Sequence, residues 1–72
     1  MEIRLFATLR EGRGKTVDVE WYEGIDGYAL INMLDIRPED VSIFLINGLN
    51  HKLDATFKED NIIALFPPVG GG

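Results

Sequence analysis

From its second position the chain alternates. Ile3, Leu5, Ala7 and Leu9 fall on one side and Glu2, Arg4, Phe6 and Thr8 on the other, which is the period-2 pattern of a strand with one buried face. Phe6 is the apolar exception on the polar side. The glycines of Glu11-Gly12-Arg13-Gly14 mark a turn, and Val17, Val19 and Trp21 then alternate with Thr16, Asp18 and Glu20. Residues 2–21 therefore predict an N-terminal β-hairpin. Gly24-Ile25-Asp26-Gly27 breaks the alternation. Asp26 carries the side chain of a helix N-cap, and Ile25 stands where a hydrophobic staple onto Leu30 is expected. A helix near residues 26–35 is predicted, with Leu30, Met33 and Leu34 at helical spacing. It ends before Pro38, which disfavours helical geometry at Arg37. At about two to three turns it depends on tertiary packing to persist.

Residues 41–46, Val-Ser-Ile-Phe-Leu-Ile, form an almost continuous apolar run of the kind an interior strand shows, and Asn47-Gly48 supplies a turn. A short edge strand is expected within residues 49–54 and a turn over residues 56–61. A final strand over residues 62–66 is stopped by Pro67-Pro68. Strand, strand, helix, strand, short strand, strand is the order of a β-grasp. The predicted fold is thus α+β, a mixed four- to five-stranded sheet packed on one helix. Residues 1–66 would form the domain and residues 67–72 an extended tail.

Composition narrows the chemistry. With 46% hydrophobic and 26% charged residues, the 72-residue chain is apolar enough to fold around one small core. The absence of cysteine removes a disulfide framework, a thiol nucleophile and thiolate metal sites. The N-terminal residues lack the basic start and apolar run of a signal peptide, and no stretch is long enough for a membrane span. A cytoplasmic protein is expected. The net charge of -5 with scattered Lys and Arg argues against nucleic acid and favours a protein partner with a basic surface. His51, the single histidine, has no cysteine beside it and is read as a solvated loop residue. Glu39-Asp40 and Glu59-Asp60 are read as solvated turn carboxylates. Ser42 has no triad context and the terminal glycines no following Lys-Ser or Lys-Thr. The chain shows no catalytic apparatus of its own.

What remains is the end of the chain, Phe66-Pro67-Pro68-Val69-Gly70-Gly71-Gly72. Two prolines favour an extended polyproline conformation that leads away from the sheet. Six residues beyond Phe66 reach roughly 20 Å when extended, and glycine adds no side-chain bulk. In the sheet, Ile43 and Leu45 point opposite to Phe44 and Ile46. One of these pairs therefore lies on the outer face beside Phe6 and Phe66, where a contiguous apolar patch marks a binding surface. The candidate partner-binding residues are Phe6, Phe66, Ala64, Ile43 and Leu45.

MEIRLFATLRE at the start, Ile46-Asn47-Gly48 in the middle and Ile63-Ala64-Leu65-Phe66-Pro67-Pro68-Val69 before the glycines resemble the small subunit of molybdopterin synthase. That family includes the thiamine-pathway sulfur carrier and shares its fold with ubiquitin. The aromatic-Pro-Pro-Val-x-Gly-Gly ending points to the molybdopterin branch. Three departures stand out. The helical region is shorter than the family's, Glu59-Asp60-Asn61 occupies the place of the usual Gly-Asp turn, and the tail carries three glycines. The resemblance implies a sulfur carrier whose reactive group is the Gly72 carboxylate, with no bound cofactor. ATP is used by a ubiquitin-activating-like adenylating enzyme, and a sulfur donor protein converts the acyl-adenylate to a thiocarboxylate. The molybdopterin synthase large subunit would then consume it to build the dithiolene. The alternatives are a ubiquitin-like modifier joined to lysines through Gly72, a sulfur carrier for thiamine or transfer RNA, and an interaction module with an inert tail.

Overall fold

Among the described residues five short strands and one α-helix follow in the order β1 (Glu2–Leu5), β2 (Thr16–Asp18), α1 (Gly27–Met33), β3 (Ile43–Ile46), β4 (Leu49–His51) and β5 (Ile63–Phe66). This computed structural model describes residues 1–69. The sheet order is β2-β1-β5-β3-β4. The last strand is central, parallel to β1 and antiparallel to β3, and β1–β2 and β3–β4 are antiparallel hairpins. This is the β-grasp predicted from the alternation.

The first strand is shorter than its pattern. Alternation continues to Leu9, but pairing stops because Ala7 adopts a positive φ of 52° and the chain turns into a 3-10 segment over Ala7–Arg10. Leu9 still reaches the core, through that turn rather than along a strand, while Ala7 is exposed. The predicted long hairpin is therefore corrected to two brief strands joined by a structured connection.

Asp26 caps α1 as expected, its Oδ1 accepting from the Ala29 amide at 2.9 Å. The buried side of α1 is Gly27, Leu30 and Ile31, with Leu34 half-buried just beyond, a spacing of i, i+3, i+4 and i+7. Met33, read from sequence as part of the apolar stripe, is exposed. It lies roughly a third of a turn from the centre of that stripe, and Ile31 takes the core position instead. The helix ends in a Schellman motif. The Ile36 amide donates to the Ile31 carbonyl at 2.9 Å and the Asp35 amide to the Asn32 carbonyl at 3.2 Å, with Asp35 at a φ of 60° in the position glycine usually takes. Arg13 completes the cap, its guanidinium donating to the Leu34 and Asp35 carbonyls, both at 3.2 Å. A cation at this end also suits the helix dipole.

The strand predicted over residues 41–46 begins only at Ile43, because Pro38–Asp40 form a second 3-10 turn. Asn47 and Gly48 then close a two-residue hairpin with φ values of 52° and 80°, the signature of a type I′ turn. The core lies between the sheet's inner face and α1. Ile3, Leu5, Phe44, Ile46, Ile63 and Leu65 meet Leu30 and Ile31 there. The long return from β4 to β5 is tied to the helix start by the Tyr28 amide donating to the Leu53 carbonyl at 3.1 Å, and to the segment after β2 by Trp21 Nε1 donating to the Phe57 carbonyl at 2.9 Å.

Candidate functional site

The chain leaves the body from the end of β5, so the residues around Phe66 frame the candidate site. Because side chains alternate across a strand and Ile3, Leu5, Phe44, Ile46, Ile63 and Leu65 are buried on the inner face, Arg4, Phe6, Ile43, Leu45, Ala64 and Phe66 share the outer one. Register places them side by side. Ala64 is flanked by Arg4 on β1 and Leu45 on β3, and Phe66 is paired with Ile43.

Phe6 follows the last β1–β5 pair and its amide donates to the Leu65 carbonyl at 3.2 Å. This puts its ring on that of Phe66, with centroids 4.2 Å apart and planes within 7°. The Arg10 guanidinium lies over Phe6, 5.1 Å from the ring centroid, and is held there by its Nε donating to the Leu5 carbonyl at 2.8 Å. Cation, first ring and second ring thus form one stack at the root of the tail, each layer adding a contact of about 0.5–1 kcal/mol or more.

The five residues proposed from sequence for this surface are brought together, in unequal exposure. Ile43 is 37% exposed and Phe6, Phe66 and Leu45 are half-buried. Ala64 is only 8% exposed, because its short side chain lies between longer ones on both neighbouring strands. It is the floor of the patch. Arg10, which sequence reasoning did not single out, joins the site through the 3-10 turn that the alternating pattern concealed.

Beyond the stack, Pro67 is half-buried and Pro68 exposed, the pair lining a shallow groove with Thr8, Glu11, Arg13 and Ile36. Val69 is 95% exposed, so the chain has left the body by that point. Gly70, Gly71 and Gly72, the proposed reactive end, lie outside the described residues. His51 is exposed on β4 rather than in a loop. No group of three or more potential metal ligands occurs among the described residues, and no described helix is long and apolar enough to cross a membrane.

The fold and the chain-wide pattern agree with known proteins. The crystal structure of SAMP1 from Haloferax volcanii superimposes with a TM-score of 0.75 at 26% sequence identity, covering 99% of this chain and 97% of that one. No curated protein sequence matches the chain. The ThiS family matches residues 3–72, a span that includes all of the strand residues but Glu2, the stacked aromatics and the glycine end. The chain belongs to the ThiS family, the ubiquitin-like sulfur carriers.

Proposed function

We propose that this chain carries sulfur as a thiocarboxylate on Gly72 and delivers it as the small subunit of molybdopterin synthase in the cytoplasm. The observation that supports this reading most directly is the placement of the tail. It grows from the central, best-buried strand, passes the stacked pair Phe6–Phe66 and turns outward at Pro67-Pro68, ending the described chain on an almost fully exposed Val69. A rigid root beside an apolar patch lets a partner grip the body while its active site receives the end. The aromatic-Pro-Pro-Val-x-Gly-Gly sequence favours the molybdopterin branch over the thiamine one.

A carboxylate is a poor electrophile, so sulfur entry needs activation. In the proposed cycle the Gly72 carboxylate oxygen attacks the α-phosphorus of ATP in the adenylating enzyme and pyrophosphate leaves. A persulfide on the sulfur donor attacks the acyl carbon, AMP leaves, and a thiol cleaves the acyl persulfide to the thiocarboxylate, itself becoming part of a disulfide. This chain contributes the acyl group, its reach and its docking surface. The cognate adenylating enzyme supplies the catalytic groups.

The test is ATP–pyrophosphate exchange with that enzyme, combined with mass analysis of the C-terminal peptide from native cells. Exchange should be lost when Gly72 is deleted or followed by one added residue, with the fold retained, and should fall when Gly71→Val adds bulk near the end. The native peptide should carry the oxygen-to-sulfur increment, and the chain should co-purify with a molybdopterin synthase large subunit. Undiminished exchange by the extended protein would exclude the tail as substrate. A Gly-Gly remnant on foreign lysines without the sulfur increment would instead identify a protein modifier.

A further inference from the structure

The chain is net acidic, yet the sheet face at the root of the tail is not. Along the outer side of β1 and β2 the charges are sorted by position. Glu2 and Asp18 are paired across the hairpin at the end remote from the tail, and Arg4 stands beside Ala64, roughly 7 Å nearer the tail. Arg10 lies over Phe6 at the root itself. The carboxylates near the tail lie on its other side. Glu11 and Asp40 line the groove beneath Pro67 and Pro68, and Asp40 is engaged by Arg37 at 3.3 Å. Neither Arg4 nor Arg10 forms an ion pair among the described residues.

Arg10 is also fixed. Its Nε is committed to the Leu5 carbonyl and its Cζ lies over a ring that is itself stacked. The outer edge of the guanidinium, which carries Nη1 and Nη2, makes no hydrogen bond among the described residues. A guanidinium held this way loses little side-chain freedom when a carboxylate arrives, and its geometry suits two parallel hydrogen bonds. A lysine-like flexible cation would lack both advantages.

From this we infer that the adenylating enzyme docks on the outer sheet face through an apolar centre on Phe6, Phe66, Leu45 and Ile43, ringed on the β1 side by carboxylates that pair with Arg4 and Arg10. The inference rests on the carrier reading above and adds the charge of the partner surface. That sign is opposite to the one suggested by the chain's total of -5, because on this face the carboxylates Glu2 and Asp18 stand at the end remote from the tail and the arginines stand nearer it. Rim charges of this kind set association rate and register.

The experiment measures binding of the cognate adenylating enzyme, and its ATP–pyrophosphate exchange, for Arg4→Glu, Arg10→Glu and Lys52→Glu. All three change net charge equally, but Lys52 follows β4 at the far edge of the sheet. Arg4→Glu and Arg10→Glu should each weaken binding about tenfold or more, with the wild-type interaction weakening as salt rises, while Lys52→Glu changes it less than about twofold. Arg10→Met keeps an apolar stem over Phe6 and should weaken binding less than Arg10→Glu, with an unchanged circular dichroism spectrum. Unchanged affinity in both arginine reversals would overturn the inference while leaving exchange, and so the carrier reading, intact. Equal weakening by Lys52→Glu would also overturn it, by reducing the effect to net charge. If the wild-type chain supports no exchange at all, the carrier reading fails and this inference falls with it.

Discussion

Gly27 has no room for a β-carbon. An atom placed there would stand 2.7 Å from the Leu53 carbonyl oxygen and 2.9 Å from Phe44 Cε2, where the helix start, the β4–β5 return and the core converge. The sequence showed this glycine only as part of a break before the helix. Its φ is unremarkable, so no turn rule points to it, and the constraint comes from a backbone segment more than twenty residues away. Gly27→Ala should lower stability by about 1–3 kcal/mol as the Leu53 backbone is pushed aside, read as a fall in the denaturation midpoint with little change in slope. Ala7 and Asp35, non-glycine residues at positive φ, were equally hidden. Both sit where tertiary contacts of Leu9 and Ile36 hold the chain in a conformation their own side chains disfavour.

At the scale of the element, α1 is too short to stand alone, and its ends are secured by side chains that differ in how visible they were. Asp26 was readable because an N-cap is a local arrangement, satisfied three residues on at Ala29. Arg13, which reaches the helix C-terminus from more than twenty residues upstream, was not. Asp26→Ala should cost about 1 kcal/mol and show as a lower thermal midpoint without loss of the folded spectrum. The strands behave similarly. β4 and its type I′ turn followed from Asn47-Gly48, whereas β1 ended before its alternating pattern did because the 3-10 turn offered Leu9 another way into the core. That same turn brought Arg10 onto Phe6, so the misjudged boundary and the missed site residue have one cause.

Across the whole molecule, the central strand β5 divides two tasks between its faces. Leu65 is fully buried against α1, and its neighbour Phe66 is half-buried on the outside against Phe6. Leu65→Ala should cost about 2–5 kcal/mol of stability, a large share of the roughly 4–11 kcal/mol available to a chain of this size. Phe66→Asp should leave a folded protein by circular dichroism but reduce binding of the adenylating enzyme by about 2–4 kcal/mol, as at an interface hot spot. A folded Phe66→Asp protein that binds with wild-type affinity would remove the patch from the docking surface. Loss of fold in that variant would place Phe66 in the core, against its outward stack. The contrast between adjacent residues is the check, since both changes lie on the same strand.

The sequence by itself determined the fold class, the helix start, the β3–β4 turn and the face on which Phe6 and Phe66 lie, because each depends on periodicity or on residues a few positions apart. It also singled out the tail as the candidate for the proposed chemistry, from the two prolines and the three glycines that follow them. Only the tertiary structure decided that Ile31 rather than Met33 faces the core, that Ala64 is covered by its neighbours and that Arg10 caps an aromatic stack. It alone sorted the charges along the outer face. Those properties arise where segments distant in the chain converge, and their register is set by the packing of β5 between β1 and β3, which no local pattern encodes.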